Sequence, residues 1–147
     1  MSKEETIEAI QRARKAHLKQ MDKITSLIEG KDVDNLTPVS KMKCQFGQWL
    51  YGDTQRMKSI LGVQFYENLD TTHEAWHMQY AKIHAIFANG KKEGLFSKIF
   101  ATHKIDPLDL ERAKVYYKDL EQTTKDLLRL LDANQRRVQA LSPSKFH

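Results

Sequence analysis

Apolar residues recur every three or four positions through most of the chain, the spacing of helices that each bury one stripe. Over about residues 3 to 29 the inward positions read Ile7, Ile10, Arg14, His17, Met21, Ile24 and Ile28, and Gly30 supplies the stop. Two members of that stripe, Arg14 and His17, are polar. A loop of Asp, Asn, Thr and Pro follows over 31–39. A short helix is predicted over about residues 40 to 51, carrying Cys44, Phe46, Trp49 and Leu50, and another turn or two over 54–61 breaks at Gly62. A long helix is predicted over about residues 64 to 89, with Gly90 as its stop and a stripe of Phe65, Leu69, His73, Trp76, His77, Tyr80, Ile83, His84 and Phe87. A shorter amphipathic piece covers 95–103. Asp106 caps the last helix and Pro107 takes its first position, both favoured there, and the helix continues to about Leu141.

No segment alternates with period two, so no strand is predicted. Long helices with short connections give an all-α antiparallel bundle of the four-helix type, with an additional short helix carrying Cys44. The last helix is apolar over a wider arc than one neighbour covers, through Leu120, Leu127, Leu128, Leu130 and Leu131, which suggests a homodimer face. Residues 1–141 read as one domain and 142–147 as a flexible, frayed tail.

The 147 residues fit one domain of about 100–200 residues, and 40% hydrophobic with 29% charged residues describes a chain that folds on its own core. No apolar run reaches the roughly 20 residues of a membrane span, so no membrane insertion is expected. The first fifteen residues lack the apolar centre of a secretory signal, and a single cysteine cannot form an internal disulfide; both point to the cytoplasm. The net charge of +5 is spread thinly. Its densest runs, at Arg12–Lys15, Lys41–Lys43 and Arg136–Arg137, read as solvated helix faces, and no nucleic-acid motif accompanies them.

Chemistry concentrates elsewhere. His73 and His77 lie four apart on a strongly helical segment, so both imidazoles project from one face, as two ligands of one metal would. His17 occupies a core position on another helix. A lone inward histidine is ordinarily a hydrogen-bonded core residue, but three buried imidazoles are costly unless something satisfies their nitrogens. Cys44, alone, reads as a small buried hydrophobe. Near a helix N-terminus, which favours thiolate, it is also the fourth ligand candidate, and three nitrogens with one sulfur make a tetrahedral set that suits Zn²⁺.

These residues together resemble a known family. His17, then Cys44-Gln45-Phe46-Gly47-Gln48-Trp49, then His73 and His77, is similar to the chemoreceptor zinc-binding (CZB) domain family over about residues 5 to 135. The resemblance implies a helical bundle, homodimeric and cytoplasmic, with His17, Cys44, His73 and His77 as zinc ligands and Cys44 as a redox switch. It implies a regulatory domain, not an enzyme, that reports zinc or hypochlorous acid to a chemoreceptor or diguanylate cyclase. Such domains commonly sit beside a signalling module. This sequence carries none, so it reads as a stand-alone member or a fragment. Phe46, Gly47, Trp49, Trp76 and His84 are expected to back the ligands or pack around them. Arg14 either pairs with a carboxylate or reaches solvent. His103 and His147 are expected at the surface.

Three other readings compete. His73-Glu74-Ala75-Trp76-His77 matches the H-E-x-x-H signature of zinc proteases, although the third metzincin histidine is missing: Ile83 stands there. If His17 and Cys44 both ligate, no position remains for a catalytic water. A di-iron bundle needs paired Glu-x-x-His repeats, which are absent. A purely structural helical interaction module is the third.

Overall fold

The computed structural model describes residues 1–92 and 105–146, with the side chains of 89–92 excepted. The chain forms α1 (Lys3–Ile28), α2 (Gln45–Gly52), α3 (Thr54–Leu61), α4 (Val63–Lys92), α5 (Pro107–Ala140) and a 3-10 turn (Pro143–Phe146). No strand occurs among the described residues. The expected piece at 95–103, and with it His103 and His147, lies outside them.

Local chemistry sets the helix ends. Ser2 and Glu5 close a reciprocal capping box on α1. Its C-terminus ends with Gly30 at φ 85°, where Gly30 N–H donates to Leu27 and Lys31 N–H to Ser26. Asp106 accepts from Leu108 N–H at 2.9 Å, and Pro107 opens α5 as its spacing predicts.

Side-chain pairings give the register. Along α1, Lys3 donates to the Gln139 carbonyl, Arg14 meets Asp132, and Thr25 donates to Tyr117. Along α4, Phe65 lies under Arg137, Trp76 donates to Thr124, and Lys82 lies over Tyr116. Both helices therefore run antiparallel to α5, and α1 and α4 run parallel to each other. The two short helices complete the bundle, α2 against α1 and α3 against α4 and α5.

Several boundaries and faces differ from expectation. The Cys helix begins at Gln45 rather than near residue 40, because Cys44 itself is extended (φ −70°, ψ 155°) and caps it. The long helix runs through Gly90 to Lys92. A glycine inside a helix costs about 1 kcal/mol but breaks no hydrogen bond, so it does not by itself end one. Ala13 and Leu27 take the inward positions assigned to Arg14 and Ile28, and Tyr66 that assigned to Phe65. Arg14 instead reaches Asp132 at 3.2 Å, with both side chains 42% exposed. The tail expected to fray is docked: Phe146 is buried, and Arg56 donates to its carbonyl at 2.7 Å. The wide apolar arc of α5 is used inside the chain, since α5 lies between α1 and α4. Leu120, Leu127 and Leu131 are fully buried there, each contributing about 1.5–3 kcal/mol of burial, while Leu128 and Leu130 pack at its margins.

Candidate metal centre

The parallel course of α1 and α4 brings their inward histidines level. His17, His73 and His77 are all buried, and one ring nitrogen from each lies within 4.8 Å of the other two. The His73 and His77 rings are 4.6 Å apart, one helical turn from each other.

What the opposite ring nitrogens do decides what the cluster can hold. His17 Nδ1 is 2.7 Å from the Ala13 carbonyl, and His77 Nδ1 is 3.0 Å from the Val39 carbonyl. A carbonyl only accepts, so each Nδ1 carries the proton and each Nε2 presents a lone pair. His73 Nδ1 lies 3.2 Å from the Tyr51 oxygen, which has committed its own hydrogen to Asp70 at 2.6 Å. His73 Nε2 thus also presents a lone pair, 3.4 Å from Cys44 Sγ. A tetrahedral zinc with nitrogen at about 2.1 Å and sulfur at about 2.3 Å places N and S roughly 3.6 Å apart, so this edge fits with little movement. His77 Nε2 is buried and finds no hydrogen-bond partner. That is a costly arrangement for a core histidine and a natural one for a ligand.

Electrostatics agree. Burial holds the His17 pKa down to about 4, with the neighbouring His77 adding to the effect, and burial with His17 and His77 nearby holds His73 down to about 2. Burial also lowers His77. All three are neutral, as ligation requires. Cys44 accepts from Gly47 N–H at 3.2 Å, but burial outweighs these helix N-terminal donors and pushes the thiol up. The helix alone therefore does not give the expected thiolate preference; a cation held by the histidines and Cys44 would supply it.

Around the donors stands an aromatic wall. Phe46 meets His73 edge-on at 4.9 Å, and Trp76 meets His17 at 4.8 Å and His77 at 5.0 Å. Trp49 stacks on Phe46 and so braces the wall from outside. His84 meets Tyr80 and lies outside the trio. The 29–44 loop is pinned over the site, where Thr37 N–H donates to Gln20 and the Tyr80 hydroxyl donates to the Thr37 carbonyl.

The protease reading fails on Glu74. Its side chain is 54% exposed and tied to Lys41 at 3.6 Å rather than standing free as a general base. The di-iron reading fails too, since among the described residues no carboxylate joins the cluster.

Sequence reasoning missed Tyr51, Asp70 and Lys41. Lys41 donates to Asp70 at 2.9 Å. Burial pulls the Asp70 carboxyl up, but the hydrogen bonds from Tyr51 and Lys41 outweigh it and hold the pKa below the usual carboxylate value. One signal was available: Asp70 lies three residues before His73, on the same helix face.

The buried neutral histidines set a pH dependence. Unfolded histidine titrates near about 6.5, so below that pH the unfolded chain takes up protons that the folded site cannot hold. Stability present above about pH 6.5 is lost as pH falls, with the His17 contribution running down to about 4 and the His73 contribution to about 2. The loss from His17 alone is on the order of 3 kcal/mol. In metal-free protein the denaturant midpoint should therefore fall between pH 7 and pH 4.5, and less steeply in His17→Gln. A flat midpoint would contradict this.

Residues 17–84 match the family model described as chemoreceptor zinc-binding domain, a span that holds all three histidines and Cys44. No match is found among the curated proteins or among the solved structures.

Proposed function

We propose that this chain, whose residues 17–84 match the chemoreceptor zinc-binding domain model, is a regulatory zinc module, not an enzyme, with His17, Cys44, His73 and His77 as its ligands. The observation that carries this reading is the buried convergence of three imidazoles, His77 Nε2 among them without a partner, beside a cysteine sulfur. Bound zinc would supply a closed tetrahedral charge that keeps the cysteine as thiolate.

Cys44 is the switchable ligand. It caps an eight-residue helix, its sulfur accepting from Gly47 N–H, so a change at the sulfur is felt at the start of that helix. A cleft of about 410 Å³ lined by Gln20, Thr37, His17, Cys44 and Phe46 gives small molecules a path to it. Hypochlorous acid would convert the thiolate to sulfenic acid and leave as chloride, and the oxidised sulfur binds metal weakly. Releasing that sulfur would loosen α2, and a signalling partner such as a chemoreceptor or a diguanylate cyclase would read the change. The homodimer and the cytoplasmic setting belong to this proposal through the family. No helix among the described residues is long and apolar enough to cross a membrane.

The test is zinc competition with a calibrated chelator on reduced and hypochlorite-treated chain, paired with hydrogen exchange. One zinc per reduced chain is expected, with weaker binding after oxidation and faster exchange over residues 40–52. Identical exchange there with and without metal would end the switch reading.

A further inference from the structure

We propose that Tyr51 and Asp70 are positioning residues for the metal centre, a two-step relay from a carboxylate through a phenol that fixes which nitrogen of His73 faces the metal. The inference rests on the zinc reading above and adds to it the residues that set ligand geometry.

The three histidines are held in different ways. His17 and His77 give Nδ1–H to backbone carbonyls, of Ala13 and Val39. His73 gives its Nδ1–H to a side chain, the Tyr51 oxygen at 3.2 Å. That oxygen can act as an acceptor because its hydrogen is spent on Asp70 at 2.6 Å, a short bond to an ionised group. Lys41 approaches the same Asp70 oxygen at 2.9 Å and keeps it charged. Without this chain the imidazole is free to carry its proton on Nε2, aimed at Cys44 Sγ 3.4 Å away, where it would block ligation. A partner on the far nitrogen that fixes tautomer and ring orientation is worth roughly 10–100-fold in metal affinity.

Asp70 also reaches beyond His73. Lys41 lies in the segment leading to Cys44, and its carbonyl is 3.5 Å from Cys44 Sγ. One carboxylate on α4 thus joins the phenol on α2 and the approach to the sulfur ligand. Neither link passes through the metal.

The test uses the full chain and its Tyr51→Phe and Asp70→Asn variants, with Tyr66→Phe as control. Tyr66 donates its hydroxyl to the Leu50 carbonyl at 3.3 Å in the same region without touching a ligand. Zinc affinity is read by chelator competition, and ligand geometry by the visible spectrum of the Co²⁺-loaded chain. Both relay variants should bind zinc roughly 10–100-fold more weakly with displaced Co²⁺ bands. The double variant should lose little beyond the larger single loss, since both changes cut one chain of bonds. Tyr66→Phe should match the unmodified chain. Zinc binding one-to-one to the unmodified chain, with affinity and Co²⁺ bands unchanged in both relay variants, would overturn the relay and leave the zinc reading standing. An equal loss in Tyr66→Phe would overturn it as well, by making the effect one of general packing. Failure of the unmodified chain to bind zinc would remove both.

Discussion

Zinc at about a thousand times its dissociation constant should raise the melting temperature of the metal-free chain on the order of 10 °C, and His77→Ala should abolish most of that gain. The size follows from linkage: a ligand at about 1,000 times its dissociation constant stabilises the folded state by about 4 kcal/mol, and for a chain of this size each kcal/mol moves the midpoint by roughly 2–4 °C. The contrast between the two states makes the experiment decisive. In the metal-free chain His77→Ala removes a buried Nε2 that has no partner, which relieves a cost, while it also leaves the Val39 carbonyl without its donor. Those effects oppose each other, so the metal-free midpoint should fall mainly by the packing lost with the ring, against His73 and Trp76. In the zinc-loaded chain the same change also removes a ligand. A packing histidine would behave differently, with His77→Ala lowering both midpoints alike. Thermal melts of both proteins, with and without zinc, check this directly.

The helical frame and the donor residues were legible for related reasons. Helix ends depend on a few neighbouring residues, so Asp106, Pro107 and Gly30 announce themselves in the sequence, and a four-residue spacing places His73 and His77 on one face whatever the tertiary context. The inward side of α1 was read half a step off, at Arg14 instead of Ala13, because a long arginine can lie beside a core position and still reach Asp132. The breadth of the apolar arc on α5 was legible, but its cause was not: the sequence does not say that α5 lies between α1 and α4 rather than against a second copy. The docking of Phe146 depends on Arg56, 90 residues earlier, and no local signal connects them. The relay was hidden for the same reason. Tyr51 reaches His73 only because α2 docks in one orientation, and that orientation is set by the approach of Lys41 and Gly47, which no spacing records.

That approach gives the second large effect. A methyl group added at Gly47 would overlap the backbone carbonyl of Lys41 and stand 3.4 Å from Cys44 Sγ. The obstacle is main chain, so no side-chain rotation relieves it. Either the 41–44 segment lifts or α2 shifts away from α1. Overpacking of this kind costs about 1–3 kcal/mol where the surroundings are side chains, and a backbone obstacle puts Gly47→Ala at the upper end or beyond. The metal site should suffer more than the fold. Movement of the Lys41 carbonyl carries Cys44 with it and breaks the Gly47 N–H bond to sulfur, whereas the three histidines stand on α1 and α4 and are braced by Trp76 and Phe46. Gly47→Ala should therefore bind zinc at least about tenfold more weakly, and with Co²⁺ it should lose the sulfur-to-metal charge-transfer band while keeping histidine ligation, as Cys44→Ser would. Retention of that band at full intensity, with unmodified zinc affinity, would mean that the tight contact between the Lys41 carbonyl and Gly47 does not hold the sulfur in place.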